Sequence, residues 1–543
     1  MRGGARLYVM DPRRTTSAAW ADTWLGLRVG SDIALANAMG RVIIHAGLAN
    51  PEFIKRSTQD FDAYRACVER YTLEYAEKET GVPGDVIRDA ALAYARAERG
   101  MICWTLGITE HHNAVDNVLS LINLALLTGK VGRYGCGLNP LRGQNNVQGG
   151  GDMGAIPNRL CGFQDNMVPE IRVRFEKAWR TKIQPTHGWN LTEMFHAMDQ
   201  GELTSLYVIG ENPAQSDADL HRIDRLLKGL DHLVVQDIFL TKTAQYASVV
   251  LPASSSWCEA EGTVTNSERR VQRCRKALDA PGDARDDIWI ISEIAKRLGH
   301  ELLDGGQKSG QKSGQKNGQK SAQKSDAEIV WDEVRRVAPK MFGGMSYRRL
   351  EELDGIQWPC EDESKPGAQF LHGRLWDTPV GGPLAPFHAV EHAPPVERPD
   401  KDYPFVLTTG RRLESYNTGV QSGGYLSPLH RGESVDIAPE DAKRLGISDG
   451  EMMQVTSRRG TLQVPARIDP ALKPGLVFMT LHFPDQVPTN FLTIDEFDPK
   501  SGTAEFKACA VRVEKVSRTK KAVLGRAAKR VKGRAGSFSP KGT

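Results

Sequence analysis

One stretch of this chain, from Asn139 to Gly154, combines a guanidinium with side-chain amides and glycines. The guanidinium of Arg142 can clamp a carboxylate through two parallel hydrogen bonds, and glycines let backbone N–H groups converge on an anion. The neighbouring amides can orient a polar ligand but supply no redox or hydrolytic chemistry. Because the apolar residues follow neither a period of 2 nor one of 3.6, we expect a loop with a buried Arg142. The same composition is also that of a polar surface loop.

A second set of polar residues follows strand-like runs or begins helix-like ones, where open parallel sheets bind their ligands. Four places carry an acid or an amide in such a position: Asp11, Glu211-Asn212, Gln236-Asp237 and Asp287. A carboxylate accepts two hydrogen bonds from the Watson–Crick edge of guanine, and it accepts equally from ribose hydroxyls. One such acid usually only caps a helix. Several, with Gly30, Gly107 and Gly210 beside them, favour an extended nucleotide ligand.

The elements that position these residues change type along the chain. In the first 300 residues, apolar runs predict strands at 7–10, 102–104, 206–209, 233–235 and 249–251. Between them, amphipathic patterns predict helices at 32–46, 84–100, 117–127 and 287–298. This alternation is typical of a parallel α/β sheet. From Tyr403 onward, strands are predicted at 405–407, 453–455, 462–464 and 510–513, with a hairpin turn at 457–460, which favours a small β-barrel.

Composition limits the class of protein. At 543 residues, 40% of them hydrophobic, the chain is long enough for about two to four domains. No run approaches the roughly 18–20 apolar residues of a membrane helix. The first residues lack the apolar stretch of a signal peptide, and Arg13-Arg14 is followed by polar and small residues. We therefore expect a cytoplasmic protein without membrane insertion.

The eight cysteines are scattered, with no Cys-x-x-Cys pair. This spacing opposes a zinc ribbon or a ferredoxin-type cluster within the chain. A disulfide framework is not expected in so large a chain without a secretion signal. Most of the cysteines are therefore predicted to be core thiols.

The net charge of +4 conceals an acidic body. Ten Lys and Arg residues and no acid lie from Lys515 to Thr543, and five lysines lie in the Gln-Lys-Ser-Gly repeat at 305–325. A basic tail can dock on nucleic acid or on an acidic protein. Because it carries almost no aromatic or heavy apolar residues, a solvated disordered tail is favoured instead. We do not expect nucleic-acid binding, and the repeat predicts a flexible linker or surface insertion.

The stretch around Arg142 resembles the formate-binding loop of molybdenum-dependent formate dehydrogenase catalytic subunits, in the molybdopterin oxidoreductase family. The similarity continues in family order through further motifs: Gly-Ile-Thr-Glu-His-His at 107–112, Gly-Glu-Asn-Pro at 210–213, Gln-Asp-Ile-Phe at 236–239, Glu-Gly-Thr-Val-Thr-Asn at 261–266, Thr-Gly-Arg at 409–411 and Cys-Ala-Val-Arg-Val at 509–513. It covers nearly the whole chain, from about Leu7 to Val513.

The resemblance implies an α/β fold with two interleaved parallel-sheet domains, incomplete at the N-terminus, followed by a six-stranded double-psi β-barrel. The implied α/β domains are residues 1–143 and 144–304, both partial. The linker at 305–325 and an irregular wrapping segment at 326–400 follow them. The dinucleotide-binding barrel is expected at 401–515, and the basic tail at 516–543.

The resemblance also implies a cofactor, bis-molybdopterin guanine dinucleotide holding molybdenum or tungsten. The implied reaction is oxidation of formate to CO2, with electrons passing to an iron–sulfur cluster and an electron-transfer subunit. By position, Arg142 would bind formate and Gln144 would support it. The residues that match cofactor-binding positions are Asp11, Arg13, Gly30, Asp32, Gln236, Asp237 and Asp287 for the guanine dinucleotide ends, Leu106, Gly107, Glu110, Gly210, Asn212 and Ser216 for the pterin and phosphates, and Arg411, Arg412, Leu413, Glu414, Tyr416, Asn490, Phe506 and Lys507 in the barrel.

The chain departs from the family pattern at single positions. Ser415 stands where the family often has His, Ser248 where it has an acid, and Glu110 where some members have Gln. These departures put individual contacts in doubt and leave the cofactor expectation intact. The adjacent His111 and His112 cannot easily face one metal and have no third ligand at a suitable spacing, so positioning beside the site is favoured over metal binding.

Two family features have no counterpart in these 543 residues. None of the eight cysteines is followed by His or belongs to a cluster, so no metal ligand is assigned and the 4Fe–4S cluster would lie on an N-terminal segment or a companion polypeptide. Three origins remain open: a split enzyme, a frameshift fragment, or a gene whose selenocysteine codon was read as a stop. Two other functions also remain open, a molybdopterin oxidoreductase of the nitrate reductase type and a non-catalytic cofactor-binding or assembly protein.

Overall fold

The computed structural model describes residues 3–256, 258–303, 324–412, 416–418 and 432–516. Most of the Gln-Lys-Ser-Gly repeat and the basic tail beyond Val516 lie outside these residues. Leu413 and Glu414, two of the residues matched to the cofactor, lie outside them as well.

The first α/β segment, residues 3–140, follows the predicted alternation of strands and helices. Its elements are β1 (Tyr8–Met10), α1 (Thr16–Trp20), β2 (Thr23–Leu25), α2 (Asp32–His45), α3 (Pro51–Ser57), β3 (Thr58–Gln59), α4 (Phe61–Val68), α5 (Leu73–Thr80), α6 (Gly84–Arg96), β4 (Met101–Trp104), α7 (Leu106–Thr109), α8 (Ala114–Thr128) and β5 (Gly137–Pro140). Strands β1 and β2 pair in parallel, and so do β4 and β5. The strands predicted at 7–10 and 102–104 and the three helices predicted in this segment are confirmed.

Helix α2 is the centre of the first segment because its sequence is apolar on nearly every side. It is in contact with α4, α5, α6 and α8, and most of its residues from Ile33 to Gly40 are fully buried. A Cβ at Gly40 would lie 2.0 Å from the hydroxyl oxygen of Tyr64 on α4. Only glycine therefore permits this close approach of the two helices, and the packing fixes the start of α2 beside the ligand-binding edge.

The second α/β segment, residues 141–303, contains a three-stranded parallel sheet. Its elements are α9 (Val147–Asp152), β6 (Arg159–Leu160), β7 (Gln164–Asp165), α10 (Pro169–Trp179), α11 (Leu191–Asp199), β8 (Ser205–Ile209), α12 (Pro213–Ser216), α13 (Leu220–Lys228), β9 (His232–Asp237), β10 (Val249–Pro252), β11 (Gly262–Thr265), β12 (Arg270–Cys274) and α14 (Asp287–Arg297). The sheet order is β10-β9-β8, in parallel register. The parallel strands predicted at 206–209, 233–235 and 249–251 are confirmed, as is the helix beginning at Asp287.

The segment from 324 to 400 is more regular at its start than the sequence suggested. It forms α15 (Asp326–Val337), α16 (Pro339–Phe342), α17 (Tyr347–Glu352), β13 (Ile356–Gln357) and β14 (Ala385–Pro386). The expectation of an irregular segment is wrong for 326–352, because Trp331, Val334 and Val337 recur at helical spacing and are buried together. The rest wraps the first segment, where β14 pairs with β3 and Trp376 Nε1 donates to Val131 O at 2.7 Å.

The last segment is a closed barrel. Its elements are β15 (Phe405–Gly410), β16 (Val435–Ile437), α18 (Pro439–Leu445), β17 (Met452–Thr456), β18 (Thr461–Ile468), β19 (Leu476–Thr480) and β20 (Cys509–Lys515). The strands close in the order β15-β19-β16-β18-β17-β20, with parallel and antiparallel pairs mixed. The six-stranded barrel is confirmed, and so is the turn at 457–460, where Ser457 N donates to Gly460 O at 2.9 Å. Alternate residues such as Met453, Val455 and Val464 form its core.

Two expectations from composition are tested by the fold. Within the described residues, no helix combines the length and apolar character needed to cross a membrane. Four cysteines are buried, as expected for core thiols: Cys136, Cys161, Cys360 and Cys509. Three others are partly buried, and Cys103 on β4 is exposed.

Candidate active site

A cavity of about 2440 Å³ lies where the two α/β segments meet the barrel. It is lined by the carboxyl ends of β1, β4, β8 and β9 and by residues of β15 and β19. This is the edge at which parallel sheets bind ligands. The predicted residues that line it are Asp11, Arg13, Gly30, Asp32, Leu106, Gly107, Glu110, Gln144, Gly210, Asn212, Ser216, Gln236, Asp237, Asp287, Arg411, Phe506 and Lys507.

Asp11 and Asp237 occupy equivalent places at the ends of β1 and β9. The Oδ1 atom of each accepts a hydrogen bond from the backbone N–H two residues later, at 2.8 Å from Arg13 and 3.0 Å from Phe239. These short turns hold both carboxyl groups at the cavity wall. Burial raises the pKa of both groups, so each gains from a ligand that donates hydrogen bonds.

Arg13 presents a buried donor to the same wall. Its guanidinium stacks over the ring of Phe478 from β19, 3.5 Å from the ring centroid. Its Nε atom is buried and has no hydrogen-bond partner among the described residues. Burial lowers the pKa of Arg13, and the charge of Asp11 opposes that shift. A phosphate or another acceptor of a bound ligand would satisfy this donor.

The loop before α2 approaches the cavity closely. Gly30 has a φ of +76°, and a Cβ there would lie 2.5 Å from Cγ of Pro395. Both the backbone conformation and the contact therefore require glycine. Asp32 begins α2, and burial raises the pKa of its carboxyl group, with the charge of His111 acting in the opposite direction.

The turn after β8 is held by its own side chains. Asn212 Oδ1 accepts from the backbone N–H of Thr243 at 3.1 Å and from its hydroxyl at 2.8 Å. Asn212 Nδ2 donates to Gln215 Oε1 at 2.7 Å, and Ser216 Oγ donates to Glu211 Oε2 at 3.3 Å. Asn212 is therefore committed to shaping the turn. Gly210, with a φ of +63°, also lines the cavity, and its backbone N–H donates to Gln236 O at 2.8 Å.

Gln236 connects the central strand to α14. Its side chain is fully buried, its Nε2 donates to Asp287 Oδ1 at 2.5 Å, and its Oε1 accepts from the hydroxyl of Tyr207. Both polar ends of Gln236 are thus occupied within the protein. The consequence is that Gln236 orients Asp287, the first residue of α14, at the cavity edge.

The first segment and the barrel are joined across the cavity by Glu110 and Lys507. Lys507 Nζ lies 2.7 Å from Glu110 Oε2 and donates to Thr409 O at 3.1 Å. Thr409 Oγ1 in turn donates to Phe506 O at 2.9 Å. Lys507 is 9% exposed, so the ion pair is nearly buried. Leu106 and Gly107 complete this side of the cavity wall.

The loop after β15 docks onto the loop that carries Arg142. Arg411 Nη2 and Gln144 Nε2 both donate to Asn417 Oδ1, at 2.5 and 3.2 Å. The Arg411 guanidinium lies 5.3 Å from the ring centroid of Tyr416. A Cβ at Gly143 would lie 2.9 Å from Arg411 Nη1. Gln144 and Arg411 therefore stand side by side at the cavity.

Three predicted contact residues of the barrel do not line the cavity: Arg412, Tyr416 and Asn490. Arg412 turns into the barrel wall, where its Nη2 donates to Asp436 Oδ1 at 2.8 Å and to Ser434 Oγ at 2.7 Å. Asn490 Nδ2 donates to Ser216 O at 2.9 Å and so connects the barrel to the turn after β8. The side chains of Arg412 and Asn490 are thus engaged within the protein.

The glycine- and amide-rich stretch is only partly a loop. Asn139 and Pro140 end β5 and residues 141–146 form the loop, but 147–152 form α9. The loop prediction is wrong for α9, because Gln148 Nε2 donates to Asp152 Oδ1 at 2.8 Å and stabilises this helical turn at spacing i, i+4. Arg142 is exposed rather than buried, because the loop carries it to the open rim.

Arg142 is nevertheless held in one orientation. Its backbone N–H donates to Ser267 Oγ, and its Nε donates to Gln148 Oε1, both at 2.9 Å. In the described part of the chain, neither Nη atom has a hydrogen-bond partner. The neighbouring Leu141 and Gln144 line the cavity. The paired Nη edge is therefore available to a carboxylate at the rim.

His111 and His112 share one buried acid. Their Nδ1 atoms lie 3.3 and 3.1 Å from Glu505 Oε1. Burial alone would raise the pKa of Glu505, but the hydrogen bonds from the two histidines outweigh it and the pKa is lowered. The hydrogen bond to Glu505 raises the pKa of His112. No group of three metal-ligating side chains occurs among the residues that the structure describes. The pair fixes the segment that carries Phe506 and Lys507.

Sequence reasoning missed Phe478, His482 and Asn417, which also line the cavity. His482 Nε2 accepts from the backbone N–H of Arg412 at 2.9 Å, and its Nδ1 lies 2.6 Å from Asn417 O. The imidazole thereby fixes the loop that holds Arg411. For His482 the available signal was its place just after the apolar run of β19, the same pattern that singled out Asp11.

Asp217 lies beside the turn after β8 and predicts a pH-dependent stability. Burial raises its pKa to about 8, and the charge of Glu211 adds to the shift. Because the folded-state pKa lies above the usual aspartate pKa of 3.8, this group stabilises the fold below that pH and loses the contribution as pH rises toward 8. We expect stability to fall by up to about 1.4 kcal/mol per pH unit over this range. We also expect Asp217→Asn to flatten the fall.

The measurement is urea unfolding at pH 5, 6.5 and 8. Asp231→Asn, at an exposed acid, is the control and should follow the unmodified protein. An unchanged slope in Asp217→Asn would contradict the assignment.

The wall as a whole fits an elongated, anionic, nucleotide-bearing ligand. Carboxyl groups at two strand ends suit a base or ribose that donates hydrogen bonds. The unpartnered Arg13 Nε suits a phosphate. A cavity with this donor set, below a six-stranded barrel, defines a dinucleotide-cofactor protein of the α/β class.

Comparison with known families gives the same class. Residues 1–297 match the molybdopterin oxidoreductase family, and residues 405–510 match the molybdopterin dinucleotide binding domain. The chain therefore belongs to the molybdopterin oxidoreductase family, and its second match is to a domain that binds a molybdopterin dinucleotide.

Its relatives include alpha subunits of formate dehydrogenases. The F420-dependent formate dehydrogenase 2 subunit alpha of Methanococcus maripaludis is 43% identical over 516 residues, which cover 94% of this chain and 72% of the relative. Formate dehydrogenase H of Escherichia coli is 38% identical over 95% of this chain and 70% of its own. The structure of acetylene hydratase from Pelobacter acetylenicus shares the fold, with a TM-score of 0.68 at 20% identity over 95% of this chain and 74% of that one.

Proposed function

We propose that this chain oxidises formate to CO2 as the cofactor-binding part of a molybdopterin-dependent formate dehydrogenase. The observation that carries the proposal is Arg142: neither of its Nη atoms has a hydrogen-bond partner among the described residues, and Leu141 and Gln144 beside it line the cavity. Relatives that are at least 38% identical over most of this chain are named formate dehydrogenases. A fixed guanidinium neutralises a carboxylate and orients it by two hydrogen bonds.

The residues of this chain bind and orient the substrate. Formate would occupy the Nη edge of Arg142, with its C–H directed into the cavity beside Gln144. Holding the reacting bond in one geometry lowers the barrier by removing rotational freedom before the reaction. When bound, the cofactor supplies the two-electron redox chemistry.

We further propose that the cofactor is bis-molybdopterin guanine dinucleotide with molybdenum or tungsten. Asp11, Asp32, Asp237 and Asp287 would accept from guanine and ribose, and Arg13 would hold a phosphate. Lys507, paired with Glu110, and Arg411 would close over the cofactor from the barrel. An iron–sulfur cluster and an electron-transfer subunit in the cytoplasm would receive the electrons, on a companion segment or polypeptide.

The test of function is an anaerobic assay with formate and an artificial electron acceptor, on the complex that contains this chain. Formate-dependent reduction of the acceptor with release of CO2 supports the proposal. Reduction of nitrate in place of formate oxidation would show the alternative enzyme class. Bound cofactor without turnover of either substrate would show a binding or assembly role.

The cofactor proposal predicts that Asp11→Asn with Asp237→Asn loses guanine nucleotide. Asparagine cannot accept two hydrogen bonds from guanine in the manner of a carboxylate, and each lost charge-assisted bond costs about 1.5–3 kcal/mol. We expect the GMP released by acid hydrolysis, per mole of chain, to fall at least about tenfold. Asp279→Asn, at an exposed acid paired with Lys276, should retain it. Release of a different nucleotide from the unmodified protein would contradict the guanine form.

A further inference from the structure

A chain of hydrogen bonds runs from Arg142 into the protein core. Arg142 Nε donates to Gln148 Oε1 at 2.9 Å, and Gln148 Nε2 donates to Asp152 Oδ1 at 2.8 Å. The second oxygen of Asp152 accepts from Trp358 Nε1 at 2.9 Å. Each of these hydrogen bonds has one donor and one acceptor, so the group that bonds to one end of the Gln148 amide determines which atom faces the residue at the other end.

Burial increases along the same chain. Arg142 is exposed and Gln148 is partly buried, whereas Asp152 is 1% exposed. The backbone of Asp152 is also fixed, since its carbonyl oxygen accepts from Gly162 N at 2.7 Å. A buried carboxylate that accepts two hydrogen bonds is a rigid anchor. It forces the amide of Gln148 to direct its oxygen toward Arg142.

We propose that Gln148 and Asp152 are positioning residues that fix the guanidinium of Arg142 for carboxylate binding. Because Nε is engaged by Gln148, the two Nη atoms are left as the edge that faces the substrate. The inference rests on the proposed role of Arg142 in formate oxidation. Leu141 and Gln144, which flank Arg142 and Gly143, line the cavity, whereas Gln148 and Asp152 lie further along the chain and do not; we therefore place both as acting through Arg142.

Protonation of Asp152 should release Arg142. Burial raises the pKa of Asp152 to about 6. The hydrogen bonds from Gln148 and Trp358 and the charge of Arg142 act in the opposite direction and limit the shift. The other titratable or charged groups beside the chain are Cys161, whose thiol pKa is raised to about 12 by burial, and Arg269, 5.3 Å from the Trp358 ring centroid. A protonated Asp152 turns one acceptor into a donor, so the KM for formate should rise as pH falls through about 6.

Two variants test whether the direction of these hydrogen bonds matters, and not only whether the bonds form. In Asp152→Asn, one end of the side chain becomes a donor. If its oxygen keeps the bond to Trp358, its amide nitrogen faces Gln148 and forces that amide to flip against Arg142 Nε. Adding Gln148→Glu allows both hydrogen bonds to form again, since the new carboxylate accepts from both Arg142 and the asparagine. The double variant should restore what the single variant loses.

The experiment measures KM and kcat for formate from pH 5 to 8, together with the rise in unfolding temperature that formate causes without an electron acceptor. For Asp152→Asn we expect KM to rise about tenfold or more with kcat changed less than about twofold. The formate-induced stabilisation should shrink accordingly. In the double variant, KM should return to within about threefold of the unmodified protein and lose its rise below pH 6.

The controls make each failure recognisable. Asp441→Asn, at a buried acid of α18 that is 3% exposed and bonds to Gly475 and Arg444, should leave KM unchanged. An unmodified protein that neither oxidises formate nor is stabilised by it would overturn the proposed function. If formate is oxidised and Arg142→Met raises KM but Asp152→Asn does not, only the positioning role is overturned. A double variant no better than the single one overturns it as well.

Discussion

Replacing Arg142 by lysine is expected to lower kcat/KM for formate by about 10–100-fold, and replacing it by methionine by about 1000-fold. Lysine keeps the charge but loses the paired Nη donors and the Nε bond to Gln148. Methionine loses the charge as well, and each charge-assisted hydrogen bond contributes about 1.5–3 kcal/mol. Steady-state kinetics over a range of formate concentrations provide the measurement, and most of the loss should fall on KM.

Arg348 offers a matched control for this prediction. It is an exposed arginine that pairs with Glu352 and Glu363 away from the cavity. Arg348→Met should leave kcat/KM within about twofold of the unmodified protein. Retention of full formate activity in Arg142→Met would remove the observation on which the proposed function rests.

Asp436→Asn is expected to destabilise the barrel by about 3–5 kcal/mol. The carboxylate of Asp436 is fully buried, and it accepts from Arg412 and Ser434 and pairs with Arg467. Neutralising it leaves the buried charge of Arg412 without compensation. Urea unfolding followed by circular dichroism measures the change in free energy of unfolding.

The same variant decides the role of Arg412, which the family motif assigned to the cofactor. If Arg412 serves the barrel wall, Asp436→Asn should weaken the barrel whether or not cofactor is bound. The exposed pair of Arg512 and Glu514 on β20 provides the control, and Glu514→Gln should cost less than about 1 kcal/mol. A stability loss no larger than that of the control would refute the buried-pair assignment.

The sequence alone predicted an element correctly wherever the apolar residues of a segment followed a single recognisable pattern. The short apolar runs at β8, β9 and β10 favoured strands, because each is bounded by turns and rich in β-branched residues. The barrel strands were equally readable from their alternation. Asp11 and Asp237 were also accessible, since a carboxylate directly after such a run stands at the ligand-binding edge of a parallel sheet.

Other features depended on partners far away in the chain. Helix α9 contains three glycines, so its propensity is poor, and the bond between Gln148 and Asp152 becomes effective only because Trp358 anchors Asp152. The helices between 326 and 352 pack on Phe175 and Val271, which local composition does not reveal. The exposure of Arg142 follows from the path of its loop.

The sequence by itself determined the order of α/β segments and barrel, the strand ends that carry acids, and the family to which the chain belongs. These depend on local periodicity and on motifs, which are properties of neighbouring residues. Only the tertiary structure decided which predicted residues face the cavity. Arg412 turns inward to Asp436 and Asn490 holds the turn after β8, and neither lines the cavity. Gln236 does line it, but its side chain is engaged by Asp287. The physical reason is that a buried polar side chain must find a partner, and that partner is chosen by the packing of distant segments.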